Sequence, residues 1–313
     1  MTVVKPPRLK KGDLISVISP ASPPKDSSKV QAGVRYFESL GYRVTISQNV
    51  FDSYGYLAGT DEERADDINQ AFADKNVKAI ICSRGGYGTP RILDRVDYSV
   101  IRQNPKIFVG YSDITSLQLA IFKKTRLVTF SGPMMGVEFG EKIDSYSEES
   151  FFKIVTSVRK PGKVKNPQSL KAAFKGKRNS VGRLLGGNLT MISVILGTEY
   201  VPSFDEAVLL IEEVNEEPYS VDRMFTQLRL AGILDKLNGF ALGQFTNCSP
   251  EDPAKPHRTL EQILDEDIFS IGKPSISNLA YGHLPVKMTL PIGTLVSIDP
   301  ARKKFSLEEP AVV

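Results

Sequence analysis

Hydrophobic positions in the first part of the chain form short continuous runs that alternate with helically spaced sets. Residues 13–19 (DLISVIS) are an apolar, β-branched run ending at Pro20, which predicts a buried strand. Helical spacing then runs over 27–40 and stops at Gly41, and a second strand is predicted over 42–47. This alternation predicts parallel strands joined by right-handed helical crossovers.

The alternation continues beyond residue 60. A capping box formed by Thr60 and Glu63 starts a predicted helix over 60–72. The next predicted elements are strands over 79–83 and 107–110 and a helix over 113–123.

The pattern changes after residue 180. Gly186, Gly187 and Asn188 lead into a predicted helix, and the chain ends in short strands separated by turns. The predicted elements here are helices over 189–196 and 221–231 and strands over 207–212, 239–245, 288–290, 294–298 and 304–307. We therefore predict an α/β fold: an N-terminal parallel-sheet α/β sandwich in 1–155, a linker in 156–180, and a smaller C-terminal domain rich in β-strands in 181–313.

The composition of the chain is compatible with this fold and gives no sign of disulfides, a zinc ribbon or a membrane segment. The chain has 313 residues, of which 41% are hydrophobic, and it has only two cysteines, Cys82 and Cys248. A core of this size needs no disulfide framework, and the absence of a CxxC pair argues against a zinc ribbon. Because no apolar run resembles a signal peptide or a membrane span, we expect a cytoplasmic protein without a membrane partner.

The chain has a net charge of +4, and its charge is unevenly distributed, with a basic stretch over 159–178 (RKPGKVKNPQSLKAAFKGKR). This stretch contains two prolines, two glycines and a single aromatic residue, Phe174, and no nucleic-acid recognition motif follows it. It is therefore predicted to be a solvated linker or surface loop rather than a nucleic-acid site.

The run over 108–115 (FVGYSDIT) predicts a strand, a sharp turn and a helix, with Ser112 in the turn. Such a serine lies at the carboxyl ends of the strands, and the amide of Asp113 can donate to a developing oxyanion. The run is close to the nucleophile-elbow motif GxSxG, but Ile114 replaces the last glycine, so we expect a different packing of the turn. The alternative is that Ser112 and Asp113 only cap the helix. Cys82 is a weaker candidate nucleophile, since a strand cysteine is typical of a buried core.

A glycine-rich turn, Arg84-Gly85-Gly86-Tyr87-Gly88, follows another predicted strand. Its backbone N–H groups can approach an anion or an oxyanion closely. The turn lacks the G-x-G-x-x-G pattern and a Walker lysine, so it does not indicate a nucleotide site. An oxyanion hole shared by the amides of Gly86 and Asp113 fits this pattern, and so does a tight turn that binds no ligand.

The chain has only two histidines, His257 and His283. His257 lies in a polar, proline-rich loop, whereas His283 follows Gly282, which allows another segment or a substrate to approach closely. His283 is therefore the better candidate for a general base.

Carboxylates are crowded at 212–217 (EEVNEE), at the end of a strongly apolar predicted strand. A catalytic triad needs one acid to orient its imidazole. Glu212, the first polar residue after the apolar run, is our candidate, and Glu213 is the reserve because it faces the opposite side if the strand continues. The same carboxylates could instead serve acid/base or metal chemistry, although no spacing in the sequence completes a metal site.

Taken together, these motifs resemble the LD-carboxypeptidases, a family of serine peptidases that also contains microcin C immunity peptidases. The resemblance covers nearly the whole chain, and its motifs lie at 13–20, 56–64, 83–88, 110–115, 186–189, 210–213 with Arg223, and 282–283.

The resemblance implies a Ser-Glu-His triad at the junction of an α/β sandwich and a β-rich domain. Ser112 matches the nucleophile, His283 the general base and Glu212 the orienting acid, while the amides of Gly86 and Asp113 match the oxyanion hole. The implied activity is release of terminal D-alanine from an L,D bond of murein tetrapeptides during cytoplasmic cell-wall recycling. The resemblance also implies a homodimer; we expect no cofactor and no metal.

Substrate contacts are less specific in the sequence. Arg84 and Arg223 are candidates for holding a terminal carboxylate, by charge and bidentate geometry, and Tyr87 is a further substrate-binding candidate. Whether the diamino acid of the substrate is meso-diaminopimelate or lysine is left open.

Three other functions remain open from the sequence. One is an immunity-type peptidase acting on aminoacyl-nucleotide-like substrates; members of that type stack a tryptophan on the substrate, and this chain has no Trp. The second is a two-lobed protein that binds a small ligand without catalysis. The third is a carboxylate-based or metal-dependent hydrolase that uses the cluster at 212–217.

Overall fold

The first of two sheets carries the βα alternation of the N-terminal half. A computed structural model describes residues 2–313, and in it this sheet has six strands. They are β1 (Leu14–Ile18), β2 (Arg43–Ile46), β3 (Val77–Cys82), β4 (Ile107–Gly110), β5 (Thr129–Ser131) and β12 (Leu290–Ile292). In the spatial order β12-β5-β4-β3-β1-β2, all neighbours are parallel except β12 and β5. The predicted parallel-sheet α/β architecture is confirmed.

Helices pack against this sheet, and local sequence determines where they begin. They are α1 (Ser27–Ser39), α2 (Asp61–Ala73), α3 (Tyr98–Gln103), α4 (Ile114–Thr125) and α5 (Ser145–Thr156). The predicted capping box is present: the Thr60 amide donates to the Glu63 carboxylate at 2.7 Å, and the Glu63 amide donates to Thr60 Oγ1 at 3.2 Å. Strands β3 and β4 lie in the centre, where Ile80 and Phe108 are fully buried.

The second sheet combines parallel and antiparallel strands. Its strands are β6 (Gly162–Lys163), β7 (Ala173–Lys175), β8 (Ser180–Asn188), β9 (Val208–Val214), β10 (Gly239–Thr246), β11 (Ser275–Ser277), β13 (Leu295–Asp299) and β14 (Lys304–Leu307). The order is β6-β14-β13-β8-β9-β10-β11-β7. The four strands from β8 through β11 are parallel to one another, and the flanking pairs are antiparallel. The second part of the chain is thus rich in β-strands, as predicted, but it has a parallel centre.

Four helices accompany the second sheet: α6 (Leu189–Ile195), α7 (Pro218–Leu230), α8 (Ile233–Lys236) and α9 (Leu260–Asp267). Among residues 2–313, no helix is both long and apolar enough to cross a bilayer.

The basic stretch over 159–178 is less irregular than predicted. It contributes β6 and β7, which occupy the two outer edges of the second sheet. Short edge strands rich in lysine are a common way to keep a sheet edge from pairing with another chain. The proposed boundaries at 155 and 180 stay a prediction.

The chain returns from the second sheet to the first at strand β12. This strand lies far along the chain, yet Leu290 pairs with Ser131 and Ile292 with Thr129, at the edge of the first sheet. The segment 278–289 therefore starts at β11 in the second sheet and ends at β12 in the first. His283 lies in this crossing segment.

Candidate active site

Ser112 occupies a strained turn between β4 and α4. Its φ angle is 64°, in the left-handed region that is unfavourable for a residue with a side chain. A side chain on Gly110 would place its Cβ 2.8 Å from Ile114 Cγ2, so the glycine makes room for the isoleucine. The side chain of Ile114 therefore packs against the backbone of Gly110.

Three residues predicted to form a triad are joined by hydrogen bonds. His283 Nε2 lies 3.0 Å from Ser112 Oγ, and His283 Nδ1 lies 2.8 Å from Glu212 Oε2. The Glu212 side chain is 1% exposed and that of His283 is 23% exposed. A buried carboxylate therefore faces one ring nitrogen, while the other nitrogen faces a hydroxyl in an open cavity.

The positions of Glu212 and Glu213 follow from the alternation of β9. Strand β9 extends to Val214, two residues beyond the predicted end, so the two neighbouring carboxylates point to opposite faces. Glu213 accepts hydrogen bonds from Asn188 Nδ2 at 2.8 Å and from the Thr190 amide at 2.7 Å. Burial raises the pKa of Glu213, and these hydrogen bonds oppose that shift. Glu213 thus anchors the start of α6 and makes no contact with the imidazole.

Gly282 permits the close approach of Glu212 to the histidine loop. Its φ angle is 112°, and an added Cβ would lie 2.7 Å from Glu212 Oε2. No hydrogen-bond partner for the other oxygen, Glu212 Oε1, is present in residues 2–313.

Asp113 ties the serine turn to the glycine-rich turn. Its buried carboxylate accepts hydrogen bonds from the amides of Gly88 at 3.1 Å and Thr89 at 2.9 Å. Burial raises the pKa of Asp113, and the Thr89 and Gly88 hydrogen bonds oppose the shift. Within residues 2–313, no hydrogen-bond acceptor is found for the backbone amides of Gly86 and Asp113, and Gly86 lines the cavity next to Ser112.

The backbone of the glycine-rich turn lies against the serine. A Cβ on Gly85 would be 3.0 Å from Ser112 Cβ and 3.3 Å from Ser112 Oγ. The buried Arg64 side chain links this turn to the loop after β1, since its Nη1 donates to the carbonyl of Gly88 at 2.9 Å and to that of Pro20 at 2.7 Å.

A cavity of about 510 Å³ opens above Ser112 and His283. Of the predicted substrate contacts, Arg84 lines this cavity, and Tyr87 lies beside it next to Gly86, with its ring edge against Tyr56. Arg223 does not line it; the arginine lies exposed on α7 and contacts Ser220 of its own helix.

Other charged residues of the cavity were not identified from the sequence. They come from the start of α1 and from the loop before α5: Lys25, Asp26, Lys29 and Glu141. Their spacing carries no motif, and only the capping role of Asp26 has a local signal.

The remaining candidates lie apart from this chemistry. Cys82 is fully buried, and burial raises its thiol pKa well above the usual range, which makes it a poor nucleophile. His257 lies in an exposed loop, with Nδ1 2.9 Å from the Lys255 carbonyl. Within residues 2–313, no group of His, Cys, Asp and Glu side chains is arranged to hold a metal ion.

The joined Ser, His and Glu side chains have the arrangement of a serine hydrolase. Models of the LD-carboxypeptidase N-terminal and C-terminal domains match residues 15–132 and 181–298. The chain belongs to the LD-carboxypeptidase family.

Relatives of two kinds are similar over nearly the whole chain. A Bacillus subtilis protein named "Probable murein peptide carboxypeptidase" is 38% identical over 97% of this chain and 94% of its own length. The muramoyltetrapeptide carboxypeptidase of Oxalobacter formigenes superimposes with a TM-score of 0.80 at 29% identity, over 94% of this chain and 97% of that one. The microcin C7 self-immunity protein MccF, in complex with aspartyl sulfamoyl adenosine, gives a TM-score of 0.90 at 28% identity, covering 99% and 100%.

Proposed function

We propose that the protein is a serine carboxypeptidase that removes the terminal D-alanine of murein tetrapeptides. The observation that carries this proposal is the hydrogen-bonded series from Ser112 Oγ through the His283 ring to buried Glu212. Similarity to proteins named murein peptide and muramoyltetrapeptide carboxypeptidases supports the choice of substrate.

Acyl transfer follows from these positions. Ser112 Oγ attacks the carbonyl carbon of the diamino acid, and its proton passes to His283 Nε2. Glu212 keeps Nδ1 protonated and stabilises the imidazolium. His283 then protonates the leaving alanine amine as the C–N bond breaks, and water hydrolyses the ester on Ser112.

The negative charge of the tetrahedral intermediate needs donors that are already in place. The amides of Gly86 and Asp113 fit this role because neither is used in the fold, and preorganised donors require no rearrangement during the reaction. The buried carboxylate of Asp113 holds the adjoining turn through Gly88 and Thr89, which fixes the relation between the two amides.

A carboxypeptidase must also recognise a free terminal carboxylate. Arg84 lines the cavity, and within residues 2–313 its guanidinium makes one hydrogen bond, from Nη1 to the Pro23 carbonyl at 3.3 Å. Its remaining N–H groups suit a carboxylate. We assign Arg84, rather than Arg223, to this role.

The decisive experiment compares the wild type with Ser112→Ala on a synthetic murein tetrapeptide, followed by mass spectrometry. We expect the wild type to yield the tripeptide and D-alanine, and Ser112→Ala to bind the peptide without cleaving it. Ser39→Ala, at an exposed position near the end of α1, serves as the matched control. A tetrapeptide ending in L-alanine tests selectivity for the L,D bond. Undiminished turnover by Ser112→Ala would exclude the mechanism.

The second candidate is an immunity-type peptidase acting on aminoacyl-nucleotide-like substrates. The structural similarity to MccF bound to aspartyl sulfamoyl adenosine favours it, whereas the lack of tryptophan in this chain disfavours stacking on a nucleobase. Incubation with an aminoacyl sulfamoyl adenosine distinguishes the two: release of the amino acid faster than release of D-alanine from the tetrapeptide would favour the immunity function. The homodimer is a further prediction, and light scattering can test it by measuring the molar mass in solution.

A further inference from the structure

A buried ion pair lies next to the candidate active site and takes no part in the mechanism above. Lys287 and Glu138 are joined through Nζ and Oε1, with side chains only 2% and 7% exposed. Burying two charges requires excellent geometry and further hydrogen bonds, so such a pair contributes little net stability by itself. Its position therefore calls for another explanation.

Both partners are fixed by further hydrogen bonds. The Lys287 amide donates to Ser147 Oγ at 2.9 Å, and the second oxygen of Glu138 accepts from the Met134 amide at 2.9 Å. Burial lowers the pKa of Lys287, and Glu138 and Glu212 oppose that shift. Lys287 also belongs to the segment that carries His283 from one sheet to the other.

Tyr111 is held by both members of the pair. Its hydroxyl donates to Glu138 Oε1 at 2.9 Å, and the Lys287 ammonium lies 3.7 Å from its ring centroid, a cation–π contact. Burial raises the pKa of Tyr111 well above its usual range, so the phenol remains a donor. The ring is therefore fixed at its face and at its hydroxyl.

The fixed ring contacts the imidazole. Tyr111 and His283 meet edge to face, with centroids 5.3 Å apart and an interplanar angle of 66°. Tyr111 is also the residue directly before Ser112. Tyr111 is thus a neighbour of both Ser112 and His283, the two residues whose side chains are hydrogen-bonded to each other.

We propose that Lys287, Glu138 and Tyr111 form a positioning unit that holds the His283 ring within hydrogen-bonding distance of Ser112. Tyr111 also lines the cavity above Ser112, and the unit acts on the imidazole by limiting its rotation and displacement. The other support of the imidazole is Glu212. This inference rests on the proposed function, because it assigns the unit's effect to the reactivity of Ser112.

The test measures the rate at which a fluorophosphonate labels Ser112, together with kcat and KM for the tetrapeptide. Lys287→Met should lower the labelling rate and kcat on the order of 10- to 100-fold, with KM changed less than about twofold. Tyr111→Phe removes only the hydroxyl bonded to Glu138 and should lower both rates by about tenfold. If Lys287→Met does not fold, the rates measured for Tyr111→Phe test the positioning unit instead. Lys287→Arg, which keeps the charge, should recover part of the loss.

Lys106→Met is the matched control for loss of a buried lysine. Lys106 is 4% exposed and donates to the Ala71 carbonyl at 2.9 Å. It lies directly before β4, whereas Ser112 follows the other end of that strand. Its substitution should lower the melting temperature and leave the labelling rate unchanged. Wild-type labelling rates in both Lys287→Met and Tyr111→Phe would overturn the positioning unit alone. A wild type that resists the reagent would contradict the proposed function and the unit with it.

Discussion

Replacing Glu212 by glutamine tests the most buried element of the proposed triad. The substitution removes one charge and keeps nearly the same volume at a position that is 1% exposed. Glutamine can still accept from His283 Nδ1 through its oxygen. In that orientation its amide group occupies the place of Glu212 Oε1, for which residues 2–313 provide no hydrogen-bond partner. The opposite orientation donates to Nδ1 and places the ring proton on Nε2, where it can no longer accept from Ser112.

The expected loss of kcat follows from the distance between the His283 ring and the Glu212 carboxylate. With Nδ1 and Oε2 2.8 Å apart, the charge centres of imidazolium and carboxylate are separated by about 4 Å. At an effective dielectric constant of about 20, this attraction is about 4 kcal/mol. Since about 1.4 kcal/mol corresponds to a factor of ten, we expect kcat to fall about a thousandfold, and about ten-thousandfold if the wrong tautomer dominates.

The assay is single-turnover cleavage of the tetrapeptide, with Glu213→Gln as the matched control. Glu213 is equally buried but bonds to Asn188 and Thr190, so its replacement should cost about 1–3 kcal/mol of stability and leave kcat within a few-fold of the wild type. If instead Glu213→Gln abolished cleavage and Glu212→Gln retained it within about tenfold, the assignment of the acid would be refuted.

Three further predictions concern the turn, the cavity and the pH dependence of stability. Gly85→Ala places a methyl group 3.0 Å from Ser112 Cβ, so kcat should fall while the melting temperature changes little; wild-type kcat would show that this contact is relieved without moving the serine. Arg84→Met should raise KM at least tenfold for the free tetrapeptide but not for its C-terminal amide, as measured by steady-state kinetics; an equal rise for both would remove the arginine from carboxylate recognition. Burial raises the pKa of Asp67 to about 6, above the 3.8 of the unfolded chain, so the folded state binds the extra proton and stability falls as pH rises through this interval. Asp67→Asn should flatten that part of the stability curve in urea titrations, and an unchanged slope would contradict the shift.

The sequence was most informative where a single element determines the geometry. Strand β4 ends where its apolar run ends, so the turn at Ser112 follows from local pattern alone. The choice between Glu212 and Glu213 likewise rests on the two-residue period of β9, which holds although the strand is longer than predicted. These expectations needed no knowledge of distant contacts.

Contacts between distant parts of the chain were beyond local pattern. His283 lies in an irregular segment, and its position depends on β12 joining the first sheet, which nothing near residue 290 indicates. The ring contact of Tyr111 and the pairing of Lys287 with Glu138 depend on the same crossing, so reasoning from motifs missed them. Arg223 was associated with the site by sequence motif, but its helix carries it to the surface.

The course of segment 278–289 makes the distance between His283 and Ser112 sensitive to the angle between the two sheets. One end of the segment is anchored in β11 and the other in β12, so a rotation of either sheet pulls on the loop between them. The donor–acceptor distance of 3.0 Å at Ser112 leaves little tolerance for such a displacement. Fragments divided within the basic stretch would have to reassemble both sheets before His283 and Ser112 meet again.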